Sequence, residues 1–554
     1  MSTNDGSNGG SNGGSNGGEW QAPGDGGFFA SRTPQPGYGA DWGMAPLAAG
    51  SSGTLSIGDD SPHRRWVTPL LVGLVVAVIL ASAGGFIIWQ KLAAHGGQPE
   101  SAVPTTAVAY AEIDLDPSAD QKLKVRDQLR KIPGVKDKLS ADGTNLKEEL
   151  LKGVLDNMPI VDYDSDIKPW LGDRAAVALI PGKSGKPEVL VLLQHKDKSK
   201  AETAMRKLFG MMSMGQSAMS SSTTTGITTD AISTGSSEPK AYAVGDEYIV
   251  MGSSQAVVDA AVASAKDSNL GSAKTYTSDI GTLGNGQIVT VWADLGAVYA
   301  LAGADSPMMP LGLSALGGKN PGRYVLGVHA FADGFEMTGR VIGSELTSGD
   351  IPGRSAAALA DLPNNTAAAI YVGNPGPQVA AAYESMKASL PAEQLQSITD
   401  EMSKLGISIP SDVADLLGTD ALAAMAPVDP MTGGSPQFGV RVTPKDAQHS
   451  LDLLQKVAAQ QPDVASVLDG VKTDGKDLVW TTPGDFGAGF ASGKGSLGGT
   501  DHFKKALDLK GDVLFAAYVD SSATGSTFSP TGALGVTVTK DGKDSAFTLR
   551  VVID

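Results

Sequence analysis

Two stretches, "SDIKPWLGDRAAVAL" (Ser165–Leu179) and "SDVADLLGTDALAAM" (Ser411–Met425), decide the reading of the fold. At one constant offset they share Ser165/Ser411, Asp166/Asp412, Leu171/Leu417, Gly172/Gly418, Ala175/Ala421 and Ala178/Ala424. Working outward, further blocks recur in the same order. "VPTTAVAYAEI" is answered by "LPNNTAAAIYV", and "HKDKSKAETAMRKL" by "PKDAQHSLDLLQKV". "TYTSDIGTL" is answered by "DHFKKALDL", "VTVWADLGAVYA" by "LFAAYVDSSAT", and "LGVHAFADGFEMTGRVI" by "LGVTVTKDGKDSAFTLRVVI". Such an ordered series predicts two tandem copies of one unit, 104–345 and 362–554, joined by a linker over 346–361. Copy one carries extra length before its strand "AYAVGDEYIVM".

Within each copy the pattern predicts a strand, a helix, a short helix, a hairpin, a helix and further strands. In "SADQKLKVRDQLRKI" the residues Leu123, Leu129 and Ile132 fall near helical spacing, with Ser118 or Asp120 as the cap. "RAAVALIPGKSGKPEVLVLLQH" reads as two apolar runs about a turn, and further hairpins turn at Asp333–Gly334 and Asp541–Gly542. Hairpins imply antiparallel pairing. The predicted class is α+β, an antiparallel sheet with helices on one face.

The chain has 554 residues, a formal net charge of -17 and no cysteine. The acidic balance argues against nucleic acid and anionic headgroups, which need a basic footprint. Absence of cysteine removes disulfides, thiolate metal sites and thiol catalysis. The run Leu70–Trp89 holds no charged side chain and is long enough to cross the ~30 Å hydrocarbon core. Arg64 and Arg65 precede it and only Lys91 follows closely, which predicts a cytoplasmic N-terminus and an extracytoplasmic C-terminal part at the plasma membrane. A cleavage-like "ASA" at Ala81–Ala83 is outweighed by the long preceding tail and the apolar residues that continue to Trp89. The expected organisation is therefore a Gly/Ser/Asn/Pro-rich disordered tail (1–62), a signal-anchor helix (63–91) and a linker (92–103) before copy one.

The aspartates before Trp170 raise the question of a metal. Asp162, Asp164, Asp166 and Asp173 occupy positions 1, 3, 5 and 12 of a calcium-loop template. Position 6, where the template needs glycine, is Ile167, and the matching places in copy two are Ser408, Pro410, Asp412 and Thr419. What persists is Ser-Asp, an apolar pair and Leu-Gly. That pattern reads as a short helix capped at its start by Ser165 and Asp166 or Ser411 and Asp412, and ended by glycine. Trp170, Leu171, Gly172, Leu417 and Gly418 belong to the same structural motif.

These residues, with "AYAEIDLDPSADQKL", "DIKPWLGDRAAVAL" and "AYAVGDEYIVMGSSQAVVDAAV" behind a glycine-rich tail and one apolar run, resemble an actinobacterial membrane-protein family. It is catalogued as domain of unknown function thirty-three fifty-two. The resemblance covers most of 104–554 and implies a membrane-anchored envelope protein; it brings no activity or site residues.

The remaining chemistry is sparse. The six histidines are scattered, no nucleophile elbow is present, and "ASGKGSLGG" lacks the glycine and hydroxyl a phosphate loop needs. Asp294 and Asp520 recur on strands and pose a carboxylate pair across the repeat, against the plainer reading of strand-end aspartates. Methionines from Met211 offer soft ligands, or simply the apolar end of a helix. No catalytic residue, cofactor or metal is expected. The expectation is a non-enzymatic binding or scaffolding protein of the cell envelope, whose partner is an envelope protein or an apolar ligand. A lipid carrier and a carboxylate hydrolase are the alternatives.

Overall fold

The computed structural model describes residues 98–132, 162–182, 186–212, 219–232, 240–302, 320–345, 351–389, 392–427, 437–460, 470–521 and 532–554, with a few isolated positions between them. The expected tail (1–62) and span (63–91) lie outside the described residues. Among the described residues no helix is long and apolar enough to cross a membrane.

In the first half, up to residue 345, the strands are β1 (Ala109–Asp114), β2 (Leu171–Pro181), β3 (Pro187–His195), β4 (Met219–Thr224), β5 (Ile227–Ile232), β6 (Ala241–Val244), β7 (Tyr248–Gly252), β8 (Val289–Asp294), β9 (Arg323–Phe331) and β10 (Gly334–Ile342). Its helices are α1 (Ala119–Leu129), α2 (Lys198–Met212), α3 (Gln255–Asp267), α4 (Lys274–Ile280) and α5 (Leu295–Ala302). The second half holds β11 (Ala368–Gly373), β12 (Asp420–Met425), β13 (Phe438–Thr443), β14 (Lys472–Asp474), β15 (Asp477–Thr481), β16 (Asp512–Asp520), β17 (Gly532–Asp541) and β18 (Asp544–Ile553). Its helices are α6 (Pro375–Ser389), α7 (Ala392–Lys404), α8 (Ser411–Leu417), α9 (Ala447–Gln460), α10 (Asp485–Ser492) and α11 (Asp501–Ala506).

All strands join in one antiparallel sheet. Its order through the first half is β4-β5-β6-β7-β3-β2-β1-β8-β9-β10. The order continues through β18-β17-β16-β11-β12-β13-β15-β14. The two halves meet at the β10–β18 ladder. The extra length in the first half forms the β4–β5 hairpin, and "AYAVGDEYIVM" is itself a hairpin, β6–β7, rather than one strand.

Helices cover both faces of the sheet, which corrects the one-face expectation. On the front face Tyr110, Ala178, Leu192 and Trp292 pack with Val258 and Ala261 of α3 and Tyr276 of α4. The same face in the second half packs Tyr371, Leu422, Ala516 and Tyr518 with Phe486 and Phe490 of α10 and Phe503 of α11. An edge-on aromatic pair recurs there: Tyr276–Trp292 at 5.8 Å and Phe503–Tyr518 at 5.3 Å. On the back face Val125 and Leu129 of α1 sit against Ile113, Val289, Val328 and Phe335. There too Met205 and Phe209 of α2 sit against Ile249 and Met251. The physical reason is readable in "YIVMG": apolar side chains at successive positions point to opposite faces, and β6 and β7 are buried throughout.

Two boundaries also shift. Pro99–Ala102 forms a 3-10 turn, and Val103 is fully buried in the front core, so packing begins inside the stretch read as a linker. Residues 351–361 are likewise not a free linker. Ala356 and Leu359 are fully buried in the second front core, and Arg354 bridges to Val513. The α1 helix starts at its Ser118 cap as expected, but buries Gln121, Lys122, Val125, Gln128 and Leu129, leaving Leu123 46% exposed.

Candidate functional site

The residues singled out in the sequence are dispersed among local roles. Asp162 accepts from the Ser165 backbone N–H at 2.8 Å, Asp164 pairs with Lys168 at 3.3 Å, Asp166 with Lys207, and Asp173 with Lys147 at 2.7 Å. Three of the four carboxylates meet a lysine each while Asp162 caps the turn, and among the described residues no three metal-ligating side chains converge. The capping motif is present in altered form. Asp166 accepts from the Asp162 N–H at 3.2 Å, and Asp412 from the Ser408 N–H at 2.8 Å, so the aspartates reach back four residues. The serines do not act as the accepting caps: Ser165 donates its hydroxyl to Asp162, and Ser411 to the Ser408 carbonyl. Gly418 ends α8 with φ +55°, as glycine alone does readily, with Leu417 as the last helical residue. Gly172 is different. It lies inside β2 next to Leu171, and a Cβ there would stand 2.8 Å from the Gln194 side chain. Trp170 is buried and donates its indole N–H to the Asp166 carbonyl at 2.6 Å.

Asp294 and Asp520 do not form a pair. Four strands (β9, β10, β18 and β17) lie between β8 and β16, a separation of roughly 24 Å at the usual strand spacing. Asp294 accepts from the Ala297 N–H at 2.9 Å at the start of α5. Asp520 lies 2.9 Å from His502 Nδ1, and His502 Nε2 lies 2.9 Å from Asp554 Oδ2. Burial lowers the His502 pKa, but the bonds to the two aspartates outweigh it and the net shift is upward.

The most perturbed carboxylates were not flagged by sequence. Tyr110, Glu112 and Asp114 alternate onto one face of β1. The Tyr110 hydroxyl stands 3.0 Å from Glu112 Oε2 and 3.3 Å from Glu100 Oε2, with one proton to give. Arg174 on the neighbouring strand donates to Glu112 Oε1 at 2.8 Å. Burial, then the Glu100 charge, push Glu112 up to about 7, and burial raises Glu100 as well. Between the 3-10 turn and the sheet, two half-buried carboxylates therefore face the single hydroxyl proton of Tyr110. In the second half the register places Tyr371 at the Glu112 position and Asp420 at the Arg174 position. There the Tyr371 hydroxyl donates to Asp420 at 2.6 Å, and Arg354 supplies the cation at 3.0 Å. Only the alternation "AYAEID" signals the first cluster in sequence.

Among the described residues, the back face of the second half has the composition of a core without its cover. Register places Phe515, Ala517 and Val519 of β16 beside Val538, Val536 and Leu534 of β17, then Phe547, Leu549 and Val551 of β18. None of these nine is buried and all are half-buried, with Val551 packed against the edge of the α1 core and Phe547 stacked on Tyr324. The face continues through β11 and β12, where Ile370 is 45% and Met425 36% exposed. In the first half the corresponding ground lies under α1: Val328, which matches Val536 in the shared "LGV", is 3% exposed. Gln121 of α1 clasps the Ala330 backbone there, donating at 3.0 Å and accepting at 2.8 Å. The second half meets this need with strand instead. β16 runs on to pair Val513 and Asp512 with Thr539 and Lys540, while α6 starts two residues after β11 and packs against α8. An open concavity elsewhere, along Glu393, Gln396 and Asp400 of α7, is walled by one polar helix flank and encloses nothing.

Comparison with known proteins adds little beyond family. No curated protein matches the sequence. A solved structure, crystal form I of TP0453, is similar over 45% of this chain and 79% of its own, at 12% identity and a TM-score of 0.24. A family model described as protein of unknown function (DUF3352) matches residues 70–527. That match spans most of the sequence, and the chain belongs to the DUF3352 family.

Proposed function

We propose that this chain is a single-pass, membrane-anchored binding protein of the bacterial cell envelope, with two tandem copies of one α+β unit outside the membrane. The observation that carries the binding role is the apolar back face of β16–β18, which among the described residues lacks the helix cover seen in the first half, opposite a fully built front core. Contiguous apolar surface of this kind, left open, marks an interaction site. The duplicated reading is supported by register. Val328 pairs with Met337 and Val536 with Leu549, and Met337 and Leu549 pair with each other across the junction. Equivalent residues facing one another are what a local two-fold axis between copies produces. A hydrolytic role for Asp294 with Asp520 has no support from their separation.

The anchored topology is tested in wall-stripped cells making the full chain, using its lack of native cysteine. A membrane-impermeant maleimide is expected to label Val536→Cys in intact cells and Ser31→Cys only after permeabilisation. Labelling of Ser31→Cys alone in intact cells contradicts the topology.

A further inference from the structure

We infer that the open slot over β16, β17 and β18 takes the hydrocarbon chain of a membrane lipid. This deepens the binding role proposed above and rests on the membrane-anchored reading. The slot is the place that α1 fills in the first half, so it is shaped for an apolar body lying on the sheet. Its nine side chains are Phe, Ala, Val and Leu, with no side-chain heteroatom among them. The backbone offers nothing either, because each of the three strands has a ladder on both sides. A site for a polar ligand sets a few hydrogen-bonding groups among its apolar ones, whereas here they stand at one end only, where Lys540 and Ser545 follow Val538 and Phe547 on the same face.

Its size fits a chain. Three side chains per strand on one face run about 14 Å, close to the ~15 Å that acyl chains occupy in one leaflet. The ground widens across β11 and β12 through Ile370, Ala423 and Met425. Location supplies the second argument. The described unit begins at Gln98, and the apolar run ends at Trp89. Nine residues reach at most roughly 30 Å, which holds the first half beside the bilayer, and the β10–β18 ladder joins the slot to that half in one sheet, so acyl chains are the most concentrated apolar partner nearby.

The test uses the full chain in vesicles of phosphatidylethanolamine and phosphatidylglycerol, with some phosphatidylethanolamine carrying a diazirine on its palmitoyl chain. After irradiation, adducts are mapped by mass. Adducts are expected on residues 70–89 and, separately, on the β16–β18 peptides. Val536→Lys is expected to reduce the strand adducts at least about fivefold by placing a charge in the slot, with the 70–89 adducts unchanged. Val536→Trp, which fills the slot without a charge, is expected to do the same, so a folding failure of one variant does not decide the matter. Adducts confined to 70–89, or strand adducts that neither variant reduces, overturn the inference. A photoreactive benzoylphenylalanine at position 536 in cells separates it from the binding role itself. A lipid-sized mass gain supports the lipid chain. A protein-sized adduct overturns the lipid chain and leaves a binding role, whereas no adduct overturns both.

Discussion

The two halves share a strand order and a front core, and differ on the back face. In the first half α1 crosses β9 and β10, buries Val125 and Leu129, and takes over backbone pairing through Gln121. In the second half a longer β16 does that pairing, and α6 is free to pack on α8. The difference teaches that covering a sheet face and completing its hydrogen bonds are separable. Where strands complete the ladder, the apolar face can stay open, and an open apolar face is available for binding. The polar clusters differ in parallel: a tyrosine hydroxyl between two glutamates sits in the first half, and a histidine between two aspartates in the second.

The largest effect is expected where the first half is covered. Leu129→Ala should destabilise the protein by about 2–5 kcal/mol, the range for emptying a closed core site. Denaturant unfolding of the full chain measures it, and a cost below ~1 kcal/mol would mean that α1 does not seal the back face. Next comes the glutamate pair. The folded Glu112 pKa, about 7, lies above its ordinary 4.5. Its contribution is therefore fully present below about pH 4.5 and lost as pH rises through about 7. Glu112→Gln should flatten that decline, gaining on the wild type by on the order of 2–3 kcal/mol between pH 4.5 and 8. Parallel pH profiles for the two proteins would break the assignment.

A smaller effect of the same sign belongs to the second half. The folded His502 pKa is raised, so its bridge stabilises fully below the ordinary histidine value near 6.5 and fades as pH climbs through the raised value. His502→Gln should lower the melting temperature at pH 6 and leave it nearly unchanged at pH 9. A uniform loss at both pH values would assign His502 to packing alone. The smallest effect is expected on the open face. Val536→Ala should cost under about 1 kcal/mol, because little packing is removed there.

Sequence made the secondary structure and the α+β class legible, because strand alternation, hairpin turns and the Ser118 cap are local signals. The recurrence of "SD…LG" located the same turn in both halves. It could not show that Gly172 and Gly418 are glycines for different reasons, one meeting Gln194 and the other a left-handed helix end. The β10–β18 junction was not legible, since pairing between distant edge strands leaves no local mark. Nor was the second helix layer: apolar residues at consecutive strand positions say that both faces are apolar, not what lies on each. Leu123 shows the same limit, being apolar at helical spacing yet pointing away from the sheet. The perturbed glutamates escaped notice because their shift depends on Tyr110, Arg174 and a turn brought together only by folding.

The central claim is that equivalent positions on the back face are closed in the first half and open in the second. The absence of native cysteine makes the comparison clean. Val328→Cys and Val536→Cys, each in the full chain, are treated with a water-soluble maleimide and the labelling rates compared. The account predicts that position 536 reacts at least about tenfold faster, since local opening must expose a buried site before it reacts. Equal rates, or faster labelling at 328, would contradict it.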